Sequence, residues 1–94
     1  MIMYQVIDTI SYRDSWSHRY REFAKRGEGL MAILEPSQIN QLPEIKGRTV
    51  TIHKPDGNIS QLVATDSEGH HSVIGIFFSG MSADDIPRGS QLEW

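Results

Sequence analysis

Val73–Trp94 reads VIGIFFSGMSADDIPRGSQLEW, and this stretch decides the fold. An apolar run breaks at Gly80, passes through a short acidic connection at Asp84-Asp85, and turns at Pro87-Arg88-Gly89. Proline presets φ at the start of such a turn, and glycine accepts the positive φ that relieves its exit. Ser90–Trp94 then alternates, with Leu92 and Trp94 inward and Gln91 and Glu93 outward, which is the period of a half-buried strand. The reading is two strands, His71–Ser79 and Ser90–Trp94, with turn chemistry between them.

Working back from there, the same signals recur. Tyr4–Ile10 is rich in β-branched residues and reads as a strand. Gly29–Glu35 (GLMAILE) is a compact apolar run bounded by glycine and Pro36, the pattern of a buried strand. Pro36–Lys46 carries two prolines and reads as a loop with room for one helical turn at Ser37–Gln41. Arg48–Lys54 (RTVTIHK) alternates, Val50 and Ile52 against Thr49, Thr51 and His53. Pro55-Asp56-Gly57-Asn58 is a tight-turn sequence, so Ile59–Thr65 returns as the hairpin partner, and Asp66–Gly69 reads as the next turn.

One segment follows a different period. In Asp14–Arg26, Trp16, Tyr20 and Phe23 recur at i, i+4 and i+7, one face of a helix. Asp14 or Ser15 suits its N-cap, Lys25 and Arg26 its last turn, and Gly27 the position beyond. Tyr12, Trp16 and Tyr20 also fit the even face of a strand; the short helix is the favoured reading. Six or so strands near ten-residue spacing, with this helix inserted between the first two, indicate an all-β domain over 1–94. A small closed six-stranded β-barrel is expected, because closure removes exposed edges.

Composition bounds the function. The 94 residues are 38% hydrophobic and 22% charged, ordinary for a globular chain. No apolar stretch approaches the ~20 residues that span a bilayer, and MIMYQVIDTI lacks the basic start of a signal peptide. There are no cysteines, hence no thiol chemistry, and the cytoplasm is the expected location. The net charge of −3 argues against wholesale nucleic-acid binding. The charge is uneven, however. Five of the nine cations (Arg13, Arg19, Arg21, Lys25 and Arg26) fall in one stretch, while the second half carries Asp56, Asp66, Glu68, Asp84, Asp85 and Glu93.

Three stretches together resemble the second domain of the translation GTPases, the β-barrel module of the elongation factor Tu type. Arg26-Gly27-Glu28-Gly29-Leu30-Met31 looks like the glycine-spaced lead into that domain's second strand. Lys46–Ile52 (KGRTVTI) is similar to its Gly-polar-x-Val-x-Ile strand. Ile74–Gly80 followed by Asp85-Ile86-Pro87-Arg88-Gly89-Ser90-Gln91-Leu92 resembles its closing strand, acidic connection and Ile-x-Arg-Gly turn. The likeness implies a binding barrel, with Ile86 plugging one end. It implies no motor: the chain has no GxxxxGK[ST], so no GTPase domain and no intrinsic nucleotide hydrolysis are expected. Ser11–Arg26 has no counterpart in that module. Glu28 stands where elongation factor Tu has a basic residue, which weakens transfer of its contact with the aminoacyl end of tRNA.

The candidate site is the unmatched segment, with Trp16, Arg19, Tyr20, Arg21, Lys25 and Arg26 as partner-binding residues. Aromatic rings there could stack bases while the cations neutralise phosphates. The competing reading is an amphipathic helix whose aromatic stripe packs on the barrel. Chemistry is not expected elsewhere. His70-His71 point to opposite faces of a strand, and His53 and His18 stand alone, so no metal or other cofactor is anticipated. No G-x-S-x-G elbow places a nucleophile beside a base. Gly75 marks barrel curvature or the close approach of a ligand. The sequence therefore reads as a non-catalytic module docking a protein or RNA partner, with translation as the setting the resemblance implies. A small acidic inhibitor or immunity-type protein, blocking a partner's basic site, is the other reading.

Overall fold

In the computed structural model, which describes residues 3–12, 28–70 and 72–94, every regular element is a β-strand. In chain order they are β1 (Tyr4–Tyr12), β2 (Gly29–Leu34), β3 (Thr49–His53), β4 (Ile59–Val63), β5 (Asp66–His70), β6 (Val73–Ser79) and β7 (Gln91–Glu93). They form one antiparallel sheet in the order β4-β3-β7-β1-β2-β6-β5. β1 is the shared member. Its first residues pair with β7 (Tyr4 with Leu92), and from Val6 onward it pairs with β2.

The alternation in β3 does what its period requires. Val50 and Ile52 are fully buried, while Thr51 and His53 are half-buried on the other face and Thr49 is exposed. β2 and β6 do not alternate. Residues 29–32 and 34 of β2, and 74–78 of β6, are all buried, so this half of the sheet is covered on both faces. The main core gathers Val6, Leu30, Leu34, Val50, Ile52, Ile76, Phe78 and Leu92 from five of the strands, with Ile45 and Ile86 arriving from loops. A second, smaller cluster of Tyr12, Met31 and Phe77, with Ile33 against it, occupies the opposite face of β2 and β6.

The closing segment behaves largely as its residues foretell. Gly80 and Gly89 adopt φ of 73° and 90°, and Ile86 is fully buried in the main core. Trp94 stacks on Tyr4 with ring centroids 4.6 Å apart. Asp85 closes its turn by accepting hydrogen bonds from the Ser82 amide (2.8 Å) and hydroxyl (3.2 Å). The Pro87–Gly89 turn is held against β1 as well. Val6 N–H donates to the Ser90 carbonyl, and Gly89 N–H donates to that of Val6. β1 slips register between Val6 and Asp8, leaving Ile7 unmatched on β2. Arg88 Nε donates to the Ile7 carbonyl at 3.0 Å, so the turn's arginine satisfies an acceptor that the bulge releases.

The expected closed six-stranded barrel does not form. The sheet has seven strands and is not closed: β4 and β5 are its edges, and no ladder joins them. No helix occurs among the described residues, and the helix expected over Asp14–Arg26 lies outside them. The reason for the open seam lies in two residues. Ala64 N–H donates to Arg48 on the β3 side, whereas Thr65 N–H donates to Phe77 of β6. The chain changes neighbours mid-course, so β4 serves only β3 and β5 serves only β6. Val63 and Asp66 are three residues apart, which brings the two edges within about 10 Å of each other. The sheet must therefore curl around its core, yet no hydrogen-bonded ladder seals it.

Two local expectations are also corrected. Asp66–Gly69 is not a turn but most of β5, paired residue for residue with Phe77 to Ile74. The reversal falls after His70, where Ser72 takes φ of 67°. Polar, turn-forming residues are held in strand conformation there because β6 offers an unoccupied edge; pairing overrides propensity. Pro36–Gln38 forms a turn closed by Gln38 N–H to the Glu35 carbonyl, not a helical one.

Candidate functional site

The six candidate residues, Trp16, Arg19, Tyr20, Arg21, Lys25 and Arg26, lie outside the described residues, as does His18. What is described is the stem from which their segment departs. Tyr12 pairs with Gly29 at the end of the β1–β2 ladder, and Ser11 pairs with Leu30. Gly80 N–H donates to the Glu28 carbonyl at 2.9 Å, anchoring the returning end beside β6. The chain between 12 and 29 thus leaves and returns at one point of the sheet. Tyr12 and Phe77 lie beside that point, with ring centroids 6.0 Å apart and planes tilted by 54°.

Gly29 explains how tightly this end is built, and Gly75, at the other end of the β2–β6 ladder, is packed as closely. A Cβ on Gly29 would fall 2.5 Å from the Phe77 ring and 2.6 Å from the Phe78 carbonyl oxygen. A Cβ on Gly75 would fall 2.6 Å from the Met31 sulfur. Gly75 therefore admits its own neighbouring strand's side chain, and the surface above it is filled by Met31. The group that lies against Gly75 is thus the Met31 side chain of the neighbouring strand, an intramolecular contact that neither the barrel-curvature nor the ligand reading anticipated.

Among the described residues, no cluster of His, Asp and Glu could hold a metal ion. His53 has a partner that sequence reasoning missed. Its Nε2 lies 2.8 Å from Glu93 Oε1, across the β3–β7 ladder. The signal was present in the alternation, since both residues sit on outward positions, but the register that joins β3 to β7 is not legible locally. The pair is half-buried and cross-strand, an arrangement worth about 0.5 kcal/mol. Asp84 is exposed on the turn that Asp85 closes.

Ser90 is the one buried side chain among the described residues whose polar atom has no hydrogen-bond partner. Its residue is fully buried, beside Leu92 in the closing segment. An unpaired hydroxyl in a dry site costs free energy on folding, so Ser90→Ala is expected to raise stability by about 1 kcal/mol. Urea unfolding midpoints of the two proteins check this, and a loss of stability would mean that the hydroxyl is satisfied in solution.

No helix among the described residues is long and apolar enough to cross a membrane. Compared with known protein families, with curated proteins and with solved structures, the chain matches none.

Proposed function

We propose that the chain is a non-catalytic binding module of the cytoplasm that docks a protein or RNA partner through Trp16, Arg19, Tyr20, Arg21, Lys25 and Arg26. One observation carries this reading: a segment holding five of the nine cations and three aromatics is hung between chain ends paired at Tyr12 and Gly29. A paired stem fixes both ends of the segment, which lowers the entropy lost when it binds. Aromatic and cationic side chains in alternation suit stacking and phosphate neutralisation. The likeness of Ile74–Leu92 to the closing segment of a translation-GTPase barrel favours translation as the setting.

The test is a pull-down with and without RNase, using the natural chain and a variant with Arg19, Arg21, Lys25 and Arg26 changed to alanine. The expected result is at least about a tenfold loss of the captured partner in the variant, equivalent to about 1.4 kcal/mol. RNase release identifies RNA as the tether. Equal capture by both proteins, with matched thermal melts, would remove the segment from the site.

The acidic-inhibitor reading rests on a separate feature, the exposed Asp84 on its ordered turn. Asp84→Lys is the clean probe of it, because Asp85 also holds the turn through Ser82. Partner binding indifferent to that reversal would discard the inhibitor reading.

A further inference from the structure

We propose that β4 is a self-pairing edge, and that two copies of this chain associate by antiparallel addition of β4 to β4 about a two-fold axis at Gln61. The backbone sets the geometry. In the β3–β4 hairpin, Lys54 N–H bonds to Asn58 and Ala64 N–H bonds to Arg48. Even-numbered residues of β4 therefore face β3, and Ile59, Gln61 and Val63 direct their N–H and C=O groups to the opposite edge. Among the described residues, no strand pairs with that edge, and no backbone hydrogen bond outside the sheet ladders involves these three residues.

The side chains of the same three residues also face outward. Ile59 is 64% exposed and Val63 is 59% exposed, with exposed Gln61 between them. Natural edges are normally protected by a charge, a proline or a bulge. Ile59-Ser60-Gln61-Leu62-Val63 has no charge and no proline, and its pairing with β3 runs without a register shift.

A second copy is the occupant that fits. A two-fold at Gln61 places Ile59 of each copy opposite Val63 of the other and Gln61 opposite itself. Each of these pairs can exchange two backbone hydrogen bonds, and the facing side chains match apolar to apolar and amide to amide. This is the self-complementarity that an isologous interface requires. The ends match in charge as well. Exposed Asp56 sits on the turn before Ile59, while exposed Lys46 and Arg48 flank the Val63 end. The two-fold turns each acidic end toward the other copy's basic end. The strand is short, so the buried area falls below the ~1,200 Å² of stable complexes, and the dimer is weak, half-formed on the order of 100 µM.

Sedimentation velocity from about 10 µM to about 1 mM tests this, across the range in which such small interfaces form. The natural chain should move from its monomer mass of 10.7 kDa toward twice that value. Ile59→Lys combined with Val63→Lys should stay monomeric throughout, because both positions are exposed and charge on an edge opposes pairing. Amide exchange supplies the register. With rising concentration, protection should grow at Ile59, Gln61 and Val63 and stay unchanged at Ser60 and Leu62. A natural chain monomeric at 1 mM, a double variant that dimerises equally, or protection that gains elsewhere would each overturn the proposal. The substitutions that test this edge and those that test the 13–26 segment change different residues, so either reading can fail without the other.

Discussion

Phe78→Ala is expected to cost about 3–5 kcal/mol of stability, the range for removing a fully buried phenylalanine. Phe78 is wholly buried in the main core, and its backbone lies in β6 opposite Leu30 of β2. Its neighbours on the adjoining strands are held by ladders on both sides of β6, so they cannot collapse into the space the ring vacates. Domains of this size have about 5–15 kcal/mol in total, so the variant would stand near the edge of folding. Each lost kcal/mol lowers the melting temperature by about 4–8 °C at this chain length. Urea unfolding with an unchanged slope is the measurement. A loss below about 1 kcal/mol would mean that Phe78 is not in a packed interior.

Ile86→Ala should cost about 2–4 kcal/mol, although Ile86 belongs to no strand. The residue is fully buried in the main core, reached from the turn that Pro87–Gly89 continues. That turn is clamped to β1 by the Gly89 and Val6 amides and by Arg88, so the loop cannot follow a shortened side chain inward. Ile86→Val, removing one methylene, should cost about 1 kcal/mol. A graded pair of losses marks a residue that fills a fixed space. If both variants lose less than about 0.5 kcal/mol, as exposed positions do, the loop only covers the core and does not enter it.

The proposed site was legible only in part. Periodicity and charge single out the 13–26 segment, and the structure adds that its flanks are paired at Tyr12 and Gly29. The β4 edge was hidden in the sequence. ISQLV reads as an ordinary hairpin strand, and whether Ile59 and Val63 face water depends on which side of the hairpin meets the core. His53 and Glu93 were unremarkable 40 residues apart until β7 was inserted beside β3. Arg88 could be read as a turn residue, but its acceptor exists only because β1 bulges at Ile7.

By itself the sequence determined the features that depend on local chemistry. Those are the all-β class, the strands in which apolar residues alternate or run together, and the turns at Gly57, Gly80 and Gly89, all with positive φ. It also determined that Ile86 and Leu92 would be buried, because nothing in the closing segment offers water a reason to keep them. Only the tertiary structure decided that Asp66–His70 is a strand and that the chain changes partners between Ala64 and Thr65. It likewise decided that the curled sheet stays open between β4 and β5. The physical reason is that propensity and period report one residue's preference for a conformation. Pairing depends on which edge is vacant once the rest of the chain has folded, and that vacancy is set by residues far away along the chain.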